Sequence, residues 1–422
     1  VSPAARRVQR TYLTLTLLAT FSASFIFGIN TLFLLDAGLT ATEAFAANAF
    51  FTAGMVVFEV PTGVVADTWG RRVSFLLGAA TLLASTLIYL ALWWAKAPLW
   101  QWAIASAMIG LGFTFFSGAV EAWLVDALDA TDYRGALESV FARGQVAGGV
   151  AMLSGSVAGG LLAQLTNLGA PYVARAIMLG LTLVVAAVLM RDLGFSPRSA
   201  GHPLREMGRI TSASLDYGLR NPPVRWMMLT TTFTAGVGIY AFYALQPYLL
   251  DLYGEEGAYS IAGLAAAIVA GAQIAGGLLV DAIRARFRTR TTLLIAALLA
   301  GAGALLAIGL TESFWIAIGF LVVWAMLFAA AGPVRQAYLN GLIPSEQRAT
   351  VLSFDALVGS SGAVVTQPAL GRVADVSGYS ASYVAGAAIQ LGALPFMLLA
   401  RRERAASDPI RPSGGARRPP GD

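Results

Sequence analysis

Five charged residues stand inside otherwise apolar runs: Glu59, Glu121, Arg143, Arg335 and Asp355. A charge in hydrocarbon is costly, so such residues face a protein interior or a water-filled path, where they pair or pass protons. Counted from the arginine-flanked end of each run at about 1.5 Å per residue, all five lie at a similar depth, about 8–10 Å in. Three carboxylates and two guanidinium groups cannot all pair one to one. The acid left over, placed in an apolar cavity, holds its proton more tightly than in water. Glu121 is the leading candidate for that proton site, ahead of Glu59. The plainer reading of the same five is a salt-bridge layer that serves structure and gating.

Most other chemistry is excluded. The chain has no cysteine and a single histidine, His202, set in a polar loop. Thiolate and histidine metal sites therefore lack ligands, and neither a metal nor a cofactor is expected. No base stands ready beside a nucleophile, which argues against an enzyme. Lys96 is the sole lysine, in Ala95-Lys96-Ala97-Pro98, so the phosphate-cradling Gly-Lys-Ser/Thr loop is missing. Solute movement would draw on an ion gradient rather than on ATP bound to this chain.

The elements that must position these charges are membrane-crossing helices. Of 422 residues, 57% are hydrophobic and 12% charged, with a mean hydropathy of +0.69. A soluble domain carries about 25% charge. The apolar residues come in blocks of about 20, enough to span about 30 Å as a helix. Lipid satisfies no backbone group, so the blocks are helices; barrel strands would alternate instead. Spans are predicted over 12–36, 43–66, 73–95, 99–127, 138–165 and 170–191, then 224–251, 257–281, 291–311, 313–341, 349–371 and 379–400. This gives an all-α membrane protein of about twelve helices: a first bundle over 1–192, a polar linker over 193–222 and a second bundle over 223–401. Residues 402–422, rich in Arg, Pro and Gly, read as a disordered tail. The first run follows Arg6, Arg7 and Arg10 and is too long for a signal peptide, so it is read as a retained span.

Arginine bias orients the chain. One side collects Arg6, Arg7, Arg10, Arg71, Arg72, Arg134, the linker arginines, Arg284 to Arg290, Arg348 and the tail; the other holds Lys96, Arg372 and acids such as Asp251, Glu255, Glu256 and Glu312. The arginine-rich side is expected to be cytoplasmic, with both termini there, in the cell (inner) membrane. Its charges suit anionic lipid. They flank spans and form no separate domain, so nucleic acid is not an expected partner.

A shift of 214 residues superimposes the two halves. Gly63 and Asp67 fall on Gly277 and Asp281, Arg72 on Arg286, Arg134 on Arg348, Glu121 on Arg335, and Asp126 on Asn340. Halves that share topology are related by a pseudo-twofold along the membrane normal, with substrate near the midplane between them.

The segment Gly63-Val-Val-Ala-Asp67-Thr-Trp-Gly70-Arg71-Arg72 joins the second and third spans. It resembles the G-x-x-x-D-x-x-G-R-R/K loop of the major facilitator superfamily, and with about twelve spans the resemblance covers the whole chain. Gly63 would let another helix approach, Asp67 would face a helix N-terminus, and Gly70 would support a tight turn. The resemblance implies that Asp67 meets the start of the eleventh span and that Arg71 pairs with Asp126. Together with Arg72, Arg134, Asp281 and Arg348, these residues form the expected cytoplasmic gate. Gly155-Ser156-Val157-Ala158-Gly159-Gly160 is similar to the exporter signature G-P-x-x-G-G, with Ser156 in place of proline; Ser106 stands where the fourth-span signature has arginine. The segments Phe58-Glu59-Val60-Pro61-Thr62-Gly63 and Ser117-Gly118-Ala119-Val120-Glu121-Ala122-Trp123-Leu124 resemble drug-efflux-like members.

The resemblance implies a cavity lined by spans one, four, seven and ten. Its candidate lining residues are Phe25, Asn30, Phe113, Phe116, Ser117, Tyr240, Tyr243, Gln246, Trp324 and Phe328. Such a lining suits a small amphipathic molecule. The function expected is alternating-access antiport by a monomer, namely proton-coupled efflux. The alternatives are import of a sugar or organic acid, and a membrane sensor or scaffold that transports nothing.

Overall fold

Pro3 opens the first helix at the position where a missing N–H costs nothing, and Ser2 Oγ caps it by accepting from Ala5 N at 3.1 Å. Among the described residues every named element is a helix. The computed structural model describes residues 2–116, 118–196, 218, 220–255, 257–344 and 348–410. Among them the helices are α1 (Pro3–Phe27), α2 (Asn30–Asp36), α3 (Ala41–Thr68), α4 (Arg71–Ala95), α5 (Leu99–Phe116), α6 (Ala119–Asp129), α7 (Leu137–Leu165) and α8 (Ala170–Leu189). The second half has α9 (Pro222–Tyr253), α10 (Tyr259–Leu278), α11 (Val280–Arg284), α12 (Arg290–Leu310), α13 (Phe314–Asn340), α14 (Arg348–Leu391) and α15 (Leu394–Arg402). The expected linker falls mostly outside the described residues, as do His202 and Ser117.

Among the described residues ten helical runs are long and apolar enough to cross a membrane, and α1 with α2, bent by 49°, makes an eleventh. One of the ten contains α14, which breaks into two helices at Gly378, where φ is 84°. Counting its two parts separately brings the crossings to twelve. Lipid-facing surface is plain on α8, where Val173, Ile177, Leu181, Val184 and Val188 are all exposed at helical spacing. Trp94, Trp100 and Trp315 are exposed at the ends of α4, α5 and α13 away from the arginine loops, the usual place of an interfacial aromatic belt.

Two breaks depart from the expected spans. The first span starts at Pro3 and breaks at Gly28, and the fourth breaks at Gly118, where φ is 68°. The tail is corrected at its start. Residues 403–410 are held against the second bundle because the Asp408 carboxylate accepts from Thr291 N and Oγ1, both at 2.8 Å, at the head of α12.

The cores differ between the two ends. At the arginine-rich end, one cluster around Tyr12, Trp123 and Leu124 lies wholly in the first half, and another around Met227, Tyr338 and Met397 wholly in the second. At the opposite end the halves share their cores. Ala41 and Phe45 of α3 pack with Tyr240, Leu245 and Tyr248 of α9, while Leu250 and Ala262 join Phe33, Trp102 and Tyr172. Three glycines let the backbones approach closely there. A Cβ on Gly28 would stand 2.8 Å from Gly263 Cα, and one on Gly160 2.9 Å from the same atom.

Candidate functional site

The break in the first span is filled from the other half. Thr31 N donates to Gln246 Oε1 at 2.8 Å, and Gln246 Nε2 donates to the Phe27 carbonyl at 3.0 Å. Nearby, Asp375 of α14 accepts from Ala41 N at 2.8 Å, Thr42 N at 2.9 Å and Thr42 Oγ1 at 2.5 Å, which seats a carboxylate on the positive end of α3. Ser260 N donates to Gln164 Oε1 at 3.0 Å. All these bonds cross between the halves, and all lie at the end opposite the arginine loops.

At the arginine-rich end the ion pairs seen among the described residues lie within one half. Arg71 Nη1 is 2.7 Å from Asp67 Oδ1, and its Nε is 3.9 Å from Asp126 Oδ2. Asp281 pairs with Arg284 at 3.1 Å. Arg348 donates to the Asn340 and Ile343 carbonyls, and Arg134 is exposed. Asp67 pairs with Arg71, and the start of the eleventh span, where its partner is expected, lies partly outside the described residues. Gly63 meets no neighbour within 4 Å, so the helix approach it would allow is not made. Gly70 is required on other grounds. Its φ is 107°, and a Cβ there would fall 2.3 Å from Asp192 Oδ2. That carboxylate accepts from Arg72 N at 2.9 Å at the head of α4, while Arg72 Nη2 donates to the Ala187 carbonyl.

Three cavities among the described residues hold candidate residues. A cleft of about 910 Å³ runs between α1, α6 and α7 of the first half and α10 of the second, lined by Tyr12, Glu121, Gly148 and Gln273 among others. Glu121 is exposed to it and has no ion pair among the described residues. Arg143 Nη2 donates to Ser139 Oγ at 3.3 Å. Arg335 grips Asp355 with both terminal nitrogens, at 2.7 and 2.5 Å. Glu59 is exposed on α3.

The second cavity, of about 250 Å³, lies inside the second half and is lined by Trp324, Phe328, Arg335, Gln390 and several threonines. The third, of about 280 Å³, lies mainly in the first half and gathers Asn30, Asn48, Tyr89, Phe113, Arg175 and Tyr243. The remaining candidates lie elsewhere. Phe25 packs on Phe21, and Phe116 stacks on Phe75. Tyr240 is buried with its hydroxyl on Ser382 Oγ at 2.6 Å, and Gln246 is the bridge just described.

Arg175 is absent from the charges singled out in the sequence. It is 2% exposed. Its Nε donates to Thr86 Oγ1 at 3.0 Å and its Nη1 to the Ser22 carbonyl at 3.4 Å, and its Nη2 has no hydrogen-bond partner among the described residues. The available signal was a cation inside the sixth span near its arginine-poor end, against the prevailing charge bias.

The family model described as Major Facilitator Superfamily matches residues 12–302 and again 257–421. The chain belongs to the major facilitator superfamily. Over 154 residues it is 31% identical to the class C tetracycline resistance protein of Escherichia coli, a match that covers 36% of this chain and 35% of that protein. The match therefore spans about a third of that curated relative. The fold is similar to that of the nucleoside transporter NupG, with a TM-score of 0.74, 11% identity and coverage of 93% and 98% of the two chains. It is also similar to a bacterial homolog of the human lysosomal transporter Spinster in an inward-facing, unoccupied conformation, with a TM-score of 0.71, 17% identity and coverage of 98% and 100%. For a D-xylose–proton symporter the TM-score is 0.69, at 16% identity and coverage of 93% and 97%. At these identities the likeness is one of fold. Major facilitator members are transporters, and this chain is a multi-pass membrane protein with that architecture.

Proposed function

We propose that this chain works by alternating access as a proton-coupled exporter of a small amphipathic compound. In this reading the arginine loops and both termini face the cytoplasm, and the structure is the inward-facing state. The carrying observation is Glu121. Its carboxylate stands exposed and without an ion pair in a cleft between the halves, while the cores merge only at the far end. A carboxylate that faces water in one state and an apolar wall in the other changes its proton affinity between states, and antiport needs that change. The tetracycline resistance relative supports the outward direction over part of the chain.

The test is transport in proteoliposomes without ATP, made acidic inside, with tetracycline and D-xylose as probes. An exporter accumulates the amphipathic probe as protons leave. Accumulation of the sugar under the reverse gradient would make the chain an importer. Equilibration indifferent to any gradient would remove the proton from the mechanism, and no movement of either probe would favour a sensor or scaffold.

A further inference from the structure

Arg175 presents a charge problem that the proposed transport cycle does not use. It is fully enclosed by protein, it lies on a membrane-crossing helix, and among the described residues no carboxylate pairs with it. Its neighbours are neutral: Thr86 and a backbone carbonyl accept two of its N–H groups, and the Phe113 ring centroid lies 6.0 Å from its Cζ. An uncompensated buried cation is among the costliest features a protein can keep. Its retention calls for an anion that is not part of the chain.

A second donor stands beside the same cavity. Tyr172 donates to Asn30 Oδ1 at 2.9 Å, and Asn30 Nδ2 donates to Asn48 Oδ1 at 3.1 Å. This chain of bonds fixes the Asn48 amide, and leaves its buried Nδ2 with no acceptor among the described residues. Arg175 and Asn48 thus line one cavity with unused donors, and the rest of the wall is largely aromatic and aliphatic: Phe27, Phe51, Ile109 and Phe113. The volume, about 280 Å³, suits a one- or two-ring molecule.

We propose that this cavity is the substrate site and that it takes an amphipathic carboxylate, with the carboxylate on Arg175 and Asn48 and the apolar body against the phenylalanines. The inference deepens the transporter reading and rests on it. Arg175 is the specificity residue for charge, and Asn48 adds a neutral donor. Tyr243 of α9 lines the same cavity, so an occupant that reaches it touches both halves.

The experiment measures equilibrium binding to the purified full chain in detergent, with 2-naphthoate and its neutral isostere 2-naphthamide as probes. No gradient is involved, so a failure of gradient-driven transport and a failure of this site give different results. The wild type is expected to bind naphthoate at least ten-fold more tightly than naphthamide, as a charge-assisted hydrogen bond provides. Arg175→Gln should abolish that preference, and Arg175→Lys should keep part of it. Equal affinity for the two probes, binding of neither, or a carboxylate preference that survives in a well-folded Arg175→Gln chain would each overturn the proposal. If Arg175→Gln does not fold, the wild-type comparison of the two probes decides the matter alone.

Discussion

Thr31 donates its backbone N–H to the side chain of Gln246, at 2.8 Å. In an unbroken helix that N–H would reach the Phe27 carbonyl, and the other end of the same amide takes that carbonyl instead. One glutamine from the second half therefore completes a backbone hydrogen bond of the first. Separation of the halves at this end exposes both groups. Gln246→Leu leaves them unsatisfied in the closed state, at a cost of about 1–3 kcal/mol, or about 5–150-fold in the balance of states. The chain has no cysteine, so Ala41→Cys is a background-free reporter at a buried position. Its labelling by an impermeant maleimide should rise several-fold in Gln246→Leu. Unchanged labelling would show that the amide does not hold the closed state.

Asp375 performs the parallel task at α3. Thr40 and Glu43 already form a capping box there, so the helix survives without Asp375. Asp375→Ala should then act on the closure rather than on folding, by about 0.5–2 kcal/mol for the lost cap. Pulsed EPR distances between spin labels on the two halves should lengthen at that end, with the melting temperature little altered. A large melting loss without a longer distance would reverse this assignment.

Arg335 and Asp355 make the opposite case. Their side chains are 20% and 10% exposed. Asp355→Leu strands a cation and should cost about 3–5 kcal/mol; Arg335→Met with Asp355→Leu should recover most of it. Thermal melting of the three chains measures this directly. A double variant no more stable than the single would show that the two groups act separately.

Glu121 is exposed and has no ion pair among the described residues, so Glu121→Gln should fold and melt as the wild type does. Accumulation driven by a pH gradient should be lost while exchange of substrate across the membrane persists. Full gradient-driven accumulation by the variant would move the proton site to Glu59 or Asp355.

Asp192 gives a pH dependence outside the spans. Burial pushes its carboxyl above the usual carboxylate range, opposed by the Arg72 amide and by the charges of Arg72 and Arg71. A raised folded value means that the folded chain holds this proton more tightly than the unfolded one. The contribution is complete below the unfolded value of about 3.9 and is lost as pH rises through the folded value. The melting temperature of wild type minus that of Asp192→Asn should therefore grow as pH falls from neutrality. A difference independent of pH would show that Asp192 does not titrate with folding.

The crossings were legible because each is set by its own residues. The apolar block of α4 lies between Arg71 and Lys96, and lipid leaves such a block one conformation. The break at Gly28 was not legible, since its stabilising partner lies 215 residues away in sequence. Arg175 was overlooked because it lies close to the predicted start of its span, where an arginine reads as loop. Of the aromatic candidates, Phe113 and Tyr243 reach the Arg175 cavity, while Phe25, Phe116 and Tyr240 pack elsewhere. Helical periodicity places a ring on a face, and the tilt and breaks of neighbouring helices decide what that face meets.

Gly28, Gly160 and Gly263 meet with bare backbone at the end where the halves close. Helices usually lock by setting side-chain ridges into grooves, and rotation then means lifting one set of ridges over another. At this crossing the ridges are low: the nearest side-chain atom facing Gly28 is the Ala266 methyl. α10 can roll on α1 and α7 as a shaft rolls in a smooth bearing, with little change in contact through the swing. The resistance to opening then comes from the polar bonds and the shared apolar cores around the crossing, and a methyl group at Gly263 would turn the bearing into a ratchet.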